Sequence, residues 1–321
     1  MDFDNDGRLD LLLSGATNYP PSAGVSQIWR NTGNGFTNVN AGPPGLSLSS
    51  AAWADFDGDG RLDLALAGTT NGLPSGAVAD IWRNTASGCT NLNTGLPPAY
   101  QGTVAWGDYD NDGWPDLLLT GTTNGTAAGA ISQVWRNTGS GFTNLDLGLP
   151  GVYQPQVNNG LGSGLASDGA AFGDYDNDGR LDIFLTGTSS DGSPHSAVWN
   201  NTVTPTNTPP TAPTSLAAAI ENGQVQLQWQ PASDVQTPAP SLSYNLRVGT
   251  MSGAGDVLGA EAEANGFRLK PALGNAQLRT NTSLILPPGT YYWSVQAVDA
   301  AWAGGSFAPE ASFVVPPPSL S

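Results

Sequence analysis

Up to about residue 203 the chain repeats one order of apolar and polar positions. Nearly continuous apolar runs cover residues 9–13, 62–66, 116–119 and 181–185, and each leads to a glycine: Gly15, Gly68, Gly121 and Gly187. Runs without alternation predict strands covered on both faces. A polar turn such as Thr69-Thr70-Asn71-Gly72 follows each run. A second strand then carries a recurring signature: Ile28-Trp29-Arg30-Asn31-Thr32, Ile81-Trp82-Arg83-Asn84-Thr85, Val134-Trp135-Arg136-Asn137-Thr138 and Val198-Trp199-Asn200-Asn201-Thr202. A short third strand reads Gly35-Phe36-Thr37-Asn38, Gly88-Cys89-Thr90-Asn91 and Gly141-Phe142-Thr143-Asn144, and the fourth copy lacks it. Lead strands stand ahead of the apolar runs at residues 51–54, 104–107 and 170–173, but not in the first copy. Four short strands per copy, at a period of about fifty residues, point to β-propeller blades.

The pattern changes beyond a Thr/Pro-rich linker at residues 204–213. Strict alternation places Val225, Leu227 and Trp229 on one strand face. It does the same for Leu242, Tyr244, Leu246 and Val248, and for Tyr291, Trp293 and Val295. Such strands between Pro/Gly turns predict a β-sandwich over residues 214–316, with a short tail at 317–321.

Composition agrees with a turn-rich β protein: 42 glycines, 25 prolines and only 12% charged residues in 321. The net charge is −17, from 27 acidic and 10 basic residues. With no basic patch to meet phosphates, nucleic acid is excluded as a partner. No apolar run approaches the roughly 20 residues of a membrane span, so no membrane insertion is expected. Cys89 is the single cysteine, which rules out an internal disulfide. It stands where Phe36 and Phe142 stand in the sister repeats and reads as a small core residue. His195 is the only histidine and is expected in a solvated turn, so no catalytic residue is assigned.

The acids are not spread evenly. Sixteen of the 27 lie in four nine-residue loops that start at positions 2, 55, 108 and 174, spaced 53, 53 and 66 residues apart. Aspartates occupy loop positions 1, 3, 5 and 9: Asp2, Asp4, Asp6 and Asp10; Asp55, Asp57, Asp59 and Asp63; Asp108, Asp110, Asp112 and Asp116; Asp174, Asp176, Asp178 and Asp182. Gly7, Gly60, Gly113 and Gly179 stand at position 6, where the backbone turns sharply. Four carboxylates in nine residues repel one another unless a cation sits between them. Ca2+ suits them, being hard, oxygen-seeking and tolerant of irregular geometry. An EF-hand is excluded, because no glutamate stands at loop position 12 and no helices flank the loops.

This D-x-D-x-D-G-x-x-D pattern resembles the FG-GAP/VCBS repeats, the calcium-loop blades of integrin α-subunit propellers and of many bacterial surface proteins. The resemblance covers residues 1–203. It implies that the aspartates bind Ca2+ together with the position-7 carbonyls of Arg8, Arg61, Trp114 and Arg180, up to four ions in all. That family usually closes seven blades, whereas about four are counted here. Residues 209–316 resemble a fibronectin type III domain in their Pro-rich start, Trp229, and Ser243-Tyr244-Asn245-Leu246. Leu286-Pro287-Pro288-Gly289-Thr290, running into Tyr291 and Tyr292, looks like that family's tyrosine corner, with Tyr291 inward. Residues 249–279 exceed a minimal domain of that kind.

The expected fold is therefore all-β, a partial β-propeller of about four FG-GAP/VCBS blades followed by an immunoglobulin-like (fibronectin type III) β-sandwich. The expected function is a calcium-binding, non-enzymatic adhesion or ligand-binding protein of the extracellular space or cell surface, with calcium mainly structural and a protein or glycan as ligand. A lectin-type propeller and an accessory region of a larger secreted enzyme are the alternatives. Trp29, Trp82, Trp135 and Trp199 are expected between blades in the core; the lectin reading makes them a sugar-stacking ladder. Arg30, Arg83 and Arg136 are expected on the other strand face, paired with acids. Ligand contacts are expected in the insertion at residues 151–168. The missing first lead strand reads as the lost start of a longer protein, export signal included. Incomplete first and last blades expose strand edges, which predicts self-association.

Overall fold

The computed structural model describes residues 1–18, 23–40, 42–85, 88–155, 169–221 and 223–317, and it is all-β apart from three single-turn 3₁₀ segments. The first repeat forms a three-stranded antiparallel sheet from β1 (Leu11–Ala16), β2 (Gly24–Asn31) and β3 (Phe36–Asn38). The second forms a four-stranded sheet from β4 (Ser47–Ala54), β5 (Asp63–Thr69), β6 (Ala77–Thr85) and β7 (Gly88–Asn91). The third contributes β8 (Val104–Gly107), β9 (Asp116–Thr122), β10 (Ala130–Asn137) and β11 (Phe142–Asn144). The fourth contributes β13 (Ala170–Gly173), β14 (Asp182–Ser189) and β15 (Pro194–Trp199).

The third and fourth repeats join in one eight-stranded sheet through β12 (Val152–Tyr153). Val152 pairs with Ile131 of β10 on one side and Ser189 of β14 on the other. The insertion expected to be a surface loop thus begins as a strand; its residues 156–168 lie outside the described residues. Leu46 makes the same crossing to Val25 of β2. Glycine makes these crossings close. A Cβ on Gly45 would run into the Gly24 carbonyl, and one on Gly151 into the Ala130 carbonyl.

Every residue of β5 and β9 is buried, as their unbroken apolar pattern requires. The first repeat has the same pattern and a different fate. Leu9, Leu11 and Leu13 are 55, 53 and 54% exposed, because among the described residues no second sheet covers that face. The tryptophans depart from expectation as well. Strand alternation gives the core to their neighbours Ile28, Ile81 and Val134, which are buried. Trp29, Trp82 and Trp135 are only half-buried, and Trp199 is 38% exposed. Trp82 and Trp135 still rest one edge against buried clusters. Cys89 is half-buried against the cluster of Ile28, Leu64 and Leu66. His195 sits in β15 opposite Gly187, not in a turn, because the hairpin turn closes earlier, with Gly192 donating to the Ser189 carbonyl.

Beyond the linker, β16 (Thr214–Glu221), β17 (Gln224–Gln230) and β19 (Asn281–Leu284) form one three-stranded sheet. A second is built from β18 (Ser243–Gly249), β20 (Gly289–Val298) and β21 (Ala311–Val315). Both sheets feed one buried cluster, with Val225, Leu227 and Trp229 from the first and Tyr244, Leu246, Trp293 and Val295 from the second. Tyr291 is buried, and its hydroxyl donates to the Pro287 carbonyl at 2.9 Å. Ala301 and Trp302 join the repeats' core instead, and the Trp302 indole donates to the Trp106 carbonyl at 3.2 Å. Among the described residues no helix is long and apolar enough to cross a membrane.

Candidate metal centres

Each acidic loop leaves its lead position, turns back, and enters the first long strand of its repeat. Two left-handed residues make the turn. Position 6 is glycine in every copy, and position 4 is Asn5, Gly58, Asn111 or Asn177, with φ of 57, 73, 55 and 60°. Asparagine and glycine are the residues that tolerate this conformation best.

The turn brings backbone amides onto the first aspartate. In the third loop Asp108 Oδ1 accepts from the Asp112 amide at 3.0 Å and Oδ2 from the Gly113 amide at 2.8 Å. Asp2, Asp55 and Asp174 accept the equivalent pair. The position-9 carboxylate ties loop to strand. Asp116 accepts from Tyr109 N at 2.9 Å and from Asn137 N, on the neighbouring strand, at 2.7 Å. Asp10, Asp63 and Asp182 do the same with Phe3 and Asn31, Phe56 and Asn84, and Tyr175 and Asn201.

These restraints gather carboxylate oxygens within 4.8 Å of one another in four groups: Asp2, Asp4 and Asp6; Asp55, Asp57 and Asp63; Asp108, Asp110 and Asp116; Asp174, Asp176 and Asp182. Each group could hold a metal ion. Position 9 belongs to the group in the last three loops and position 5 in the first. Asp59, Asp112 and Asp178 stand aside, the first two accepting the position-7 amides of Arg61 and Trp114 at 3.0 and 3.1 Å. Asp10 stands aside in the first loop. The side chains of Arg8 and Arg61 clamp the end of the second strand through the carbonyls of Asn31 and Asn84, and Arg180 holds the segment after β15 through that of Val203. Trp114 breaks that series, and a Cβ added at Gly58 would stand 3.1 Å from its ring.

The second and third loops fit a cation on two counts. Asp57 Oδ1 and Asp110 Oδ1 are buried and meet no hydrogen-bond donor, although polar atoms in such places nearly always have a partner. Burial also pushes the carboxyls upward, to about 6 at Asp55 and to about 8 at Asp63, Asp108 and Asp116. Such groups give up their protons to a cation that repays the lost hydration. Only oxygen donors are offered, which favours a hard ion. In the fourth loop Asp178 Oδ1 is the orphaned oxygen. Asn200 replaces the arginine there and donates to Asp176 at 2.7 Å.

The paired arginines behave as expected. Arg30 lies 2.5 Å from Asp4, Arg136 lies 2.5 Å from Asp110, and Arg83 pairs with Asp57. The asparagine beside each arginine was not singled out in the sequence. Asn84 Nδ2 reaches back to the Phe3 carbonyl, Asn137 to that of Phe56 and Asn201 to that of Tyr109, each at 2.7 Å. One residue thus holds its own loop through its amide and the preceding loop through its side chain. The signal was present: asparagine fills that place in all four second strands.

A family model described as FG-GAP-like repeat matches residues 2–66 and 108–185, and all four loops fall inside the matched segments. The chain carries FG-GAP-like repeats. No curated protein matches the chain.

Proposed function

We propose that this chain is a calcium-binding, non-enzymatic ligand-binding protein of the extracellular space or cell surface. On this reading the repeats are blades of a propeller-type array, and residues 214–316 form a fibronectin type III-like sandwich. The observation that carries the reading is the convergence of three aspartates per loop on one small volume, with buried oxygens lacking a donor at Asp57 and Asp110. Calcium would be held by those carboxylates and the position-7 carbonyls. It would neutralise them and tie the loop to the strands on either side. Binding to the folded state alone raises stability by about 2.7 kcal/mol at a free concentration of 100 times Kd. A calorimetric melt with excess calcium should therefore lie several degrees above one with chelator. Coincident melts, with no heat of calcium binding, would sink the proposal.

The tryptophan positions favour a glycan over other ligands. Half-exposed Trp29 and Trp135, and the more exposed Trp199, present aromatic faces of the kind that stack on sugars. The non-enzymatic reading draws support from the placement of the one histidine and the one cysteine. His195 and Cys89 stand on strands of different sheets.

A further inference from the structure

The four loops share a sequence pattern but not a charge balance. In the second and third loops, the position-1 and position-9 aspartates meet only neutral donors, Ser241 on Asp55 among them at 2.9 Å. In the first loop every carboxylate of the metal group already faces a guanidinium. Asp4 lies 2.5 Å from Arg30, Asp6 pairs with Arg8 and Arg30, and Asp2 lies 2.8 Å from Arg279. Arg279 comes from the C-terminal unit, just ahead of β19. Asp2 is fully buried, and so faces a cation that solvent does not screen. Gly7 leaves the room for it: a Cβ there would stand 2.9 Å from Arg279 Nη1.

One further difference follows the same line. The position-9 carboxylate, which joins the group in the other loops, is replaced by position 5.

We propose that Arg279 is the built-in cation of the first loop, so that this loop takes no metal and the chain binds three calcium ions. The inference rests on the calcium reading of the other loops. A guanidinium on the position-1 carboxylate does there what a divalent ion does elsewhere, and it repels a second cation from the same site. It also anchors the C-terminal unit to the repeats in a way that chelators do not reach.

Counting bound ions tests this, by native mass spectrometry and calorimetric titration of the full chain with CaCl2. The native chain should bind three. Asp2→Asn should still bind three, whereas Asp55→Asn, Asp108→Asn and Asp174→Asn should each bind two. Arg279→Gln should bind four. Four ions on the native chain, a count that falls with Asp2→Asn, or a count of three with a folded Arg279→Gln, each overturns the inference. If Arg279→Gln does not fold, the Asp2→Asn count decides alone. No ions on the native chain would overturn the calcium reading itself, and this inference with it.

Discussion

Asp63, Asp108 and Asp116 are buried acids whose carboxyls are held near 8, and this gives the loops a pH response whose sign depends on metal. Without an ion, the folded chain keeps protons that the unfolded chain releases near the ordinary carboxyl value of 3.8. Their contribution to stability is then full below about pH 4 and is lost as pH climbs towards about 8. With calcium the requirement reverses, because the ligands must be deprotonated, and affinity grows over the same range. Urea midpoints should thus fall from about pH 5 to about pH 8 in chelator, and hold or rise in saturating calcium. Parallel slopes in the two conditions would show that these carboxylates do not hold the ion. The aspartates themselves were legible in the sequence because most of their partners lie within nine residues or recur at each repeat. Arg279 and Ser241 were not. Each meets its aspartate from far along the chain, in one copy only, with no pattern to mark it.

Asn137 shows how one element is fastened to the next. It ends β10, its amide meets Asp116 of its own loop, and its side chain meets the Phe56 carbonyl of the loop before. Asn137→Ala leaves that carbonyl buried without a donor and also frees the Gly139 amide, which donates to Asn137 Oδ1 at 3.0 Å. A loss of about 1–3 kcal/mol is expected, read from urea denaturation in saturating calcium. Ser140→Ala, at an exposed turn beside it, should stay within about 0.5 kcal/mol. Equal effects would show that the bond between repeats adds nothing. At this scale the strands were legible, because period-2 alternation and unbroken apolar runs act locally. What the pattern could not say is which face finds a cover. Leu11 and Leu64 hold comparable places in sister repeats, yet one is exposed and the other buried, since only β5 lies inside the stack. The tryptophans were misplaced for the same reason: equal placement in each repeat suggested the core, and alternation sent them to the other face.

Across the whole molecule the apolar surface is distributed unevenly. The inner strands β5 and β9 are sealed, while Leu9, Leu11 and Leu13 stand in a row on the first sheet, each more than half exposed. They lie on and just ahead of β1, which among the described residues pairs in a sheet with β2 alone. An edge strand with an uncovered leucine face offers both unpaired backbone groups and apolar area, the combination that drives strand-to-strand association. The chain should therefore form dimers or larger species as its concentration rises, through this sheet and not through the metal loops. Light scattering across a concentration series should show a mass above 32.9 kDa. Leu11→Lys with Leu13→Lys should return it to the monomer mass with little loss of stability, because neither side chain leaves a cavity behind. Calcium removal should not dissolve the assembly, since the contact is apolar. A native chain that stays monomeric, or a double variant that still associates, would place the contact elsewhere or remove it.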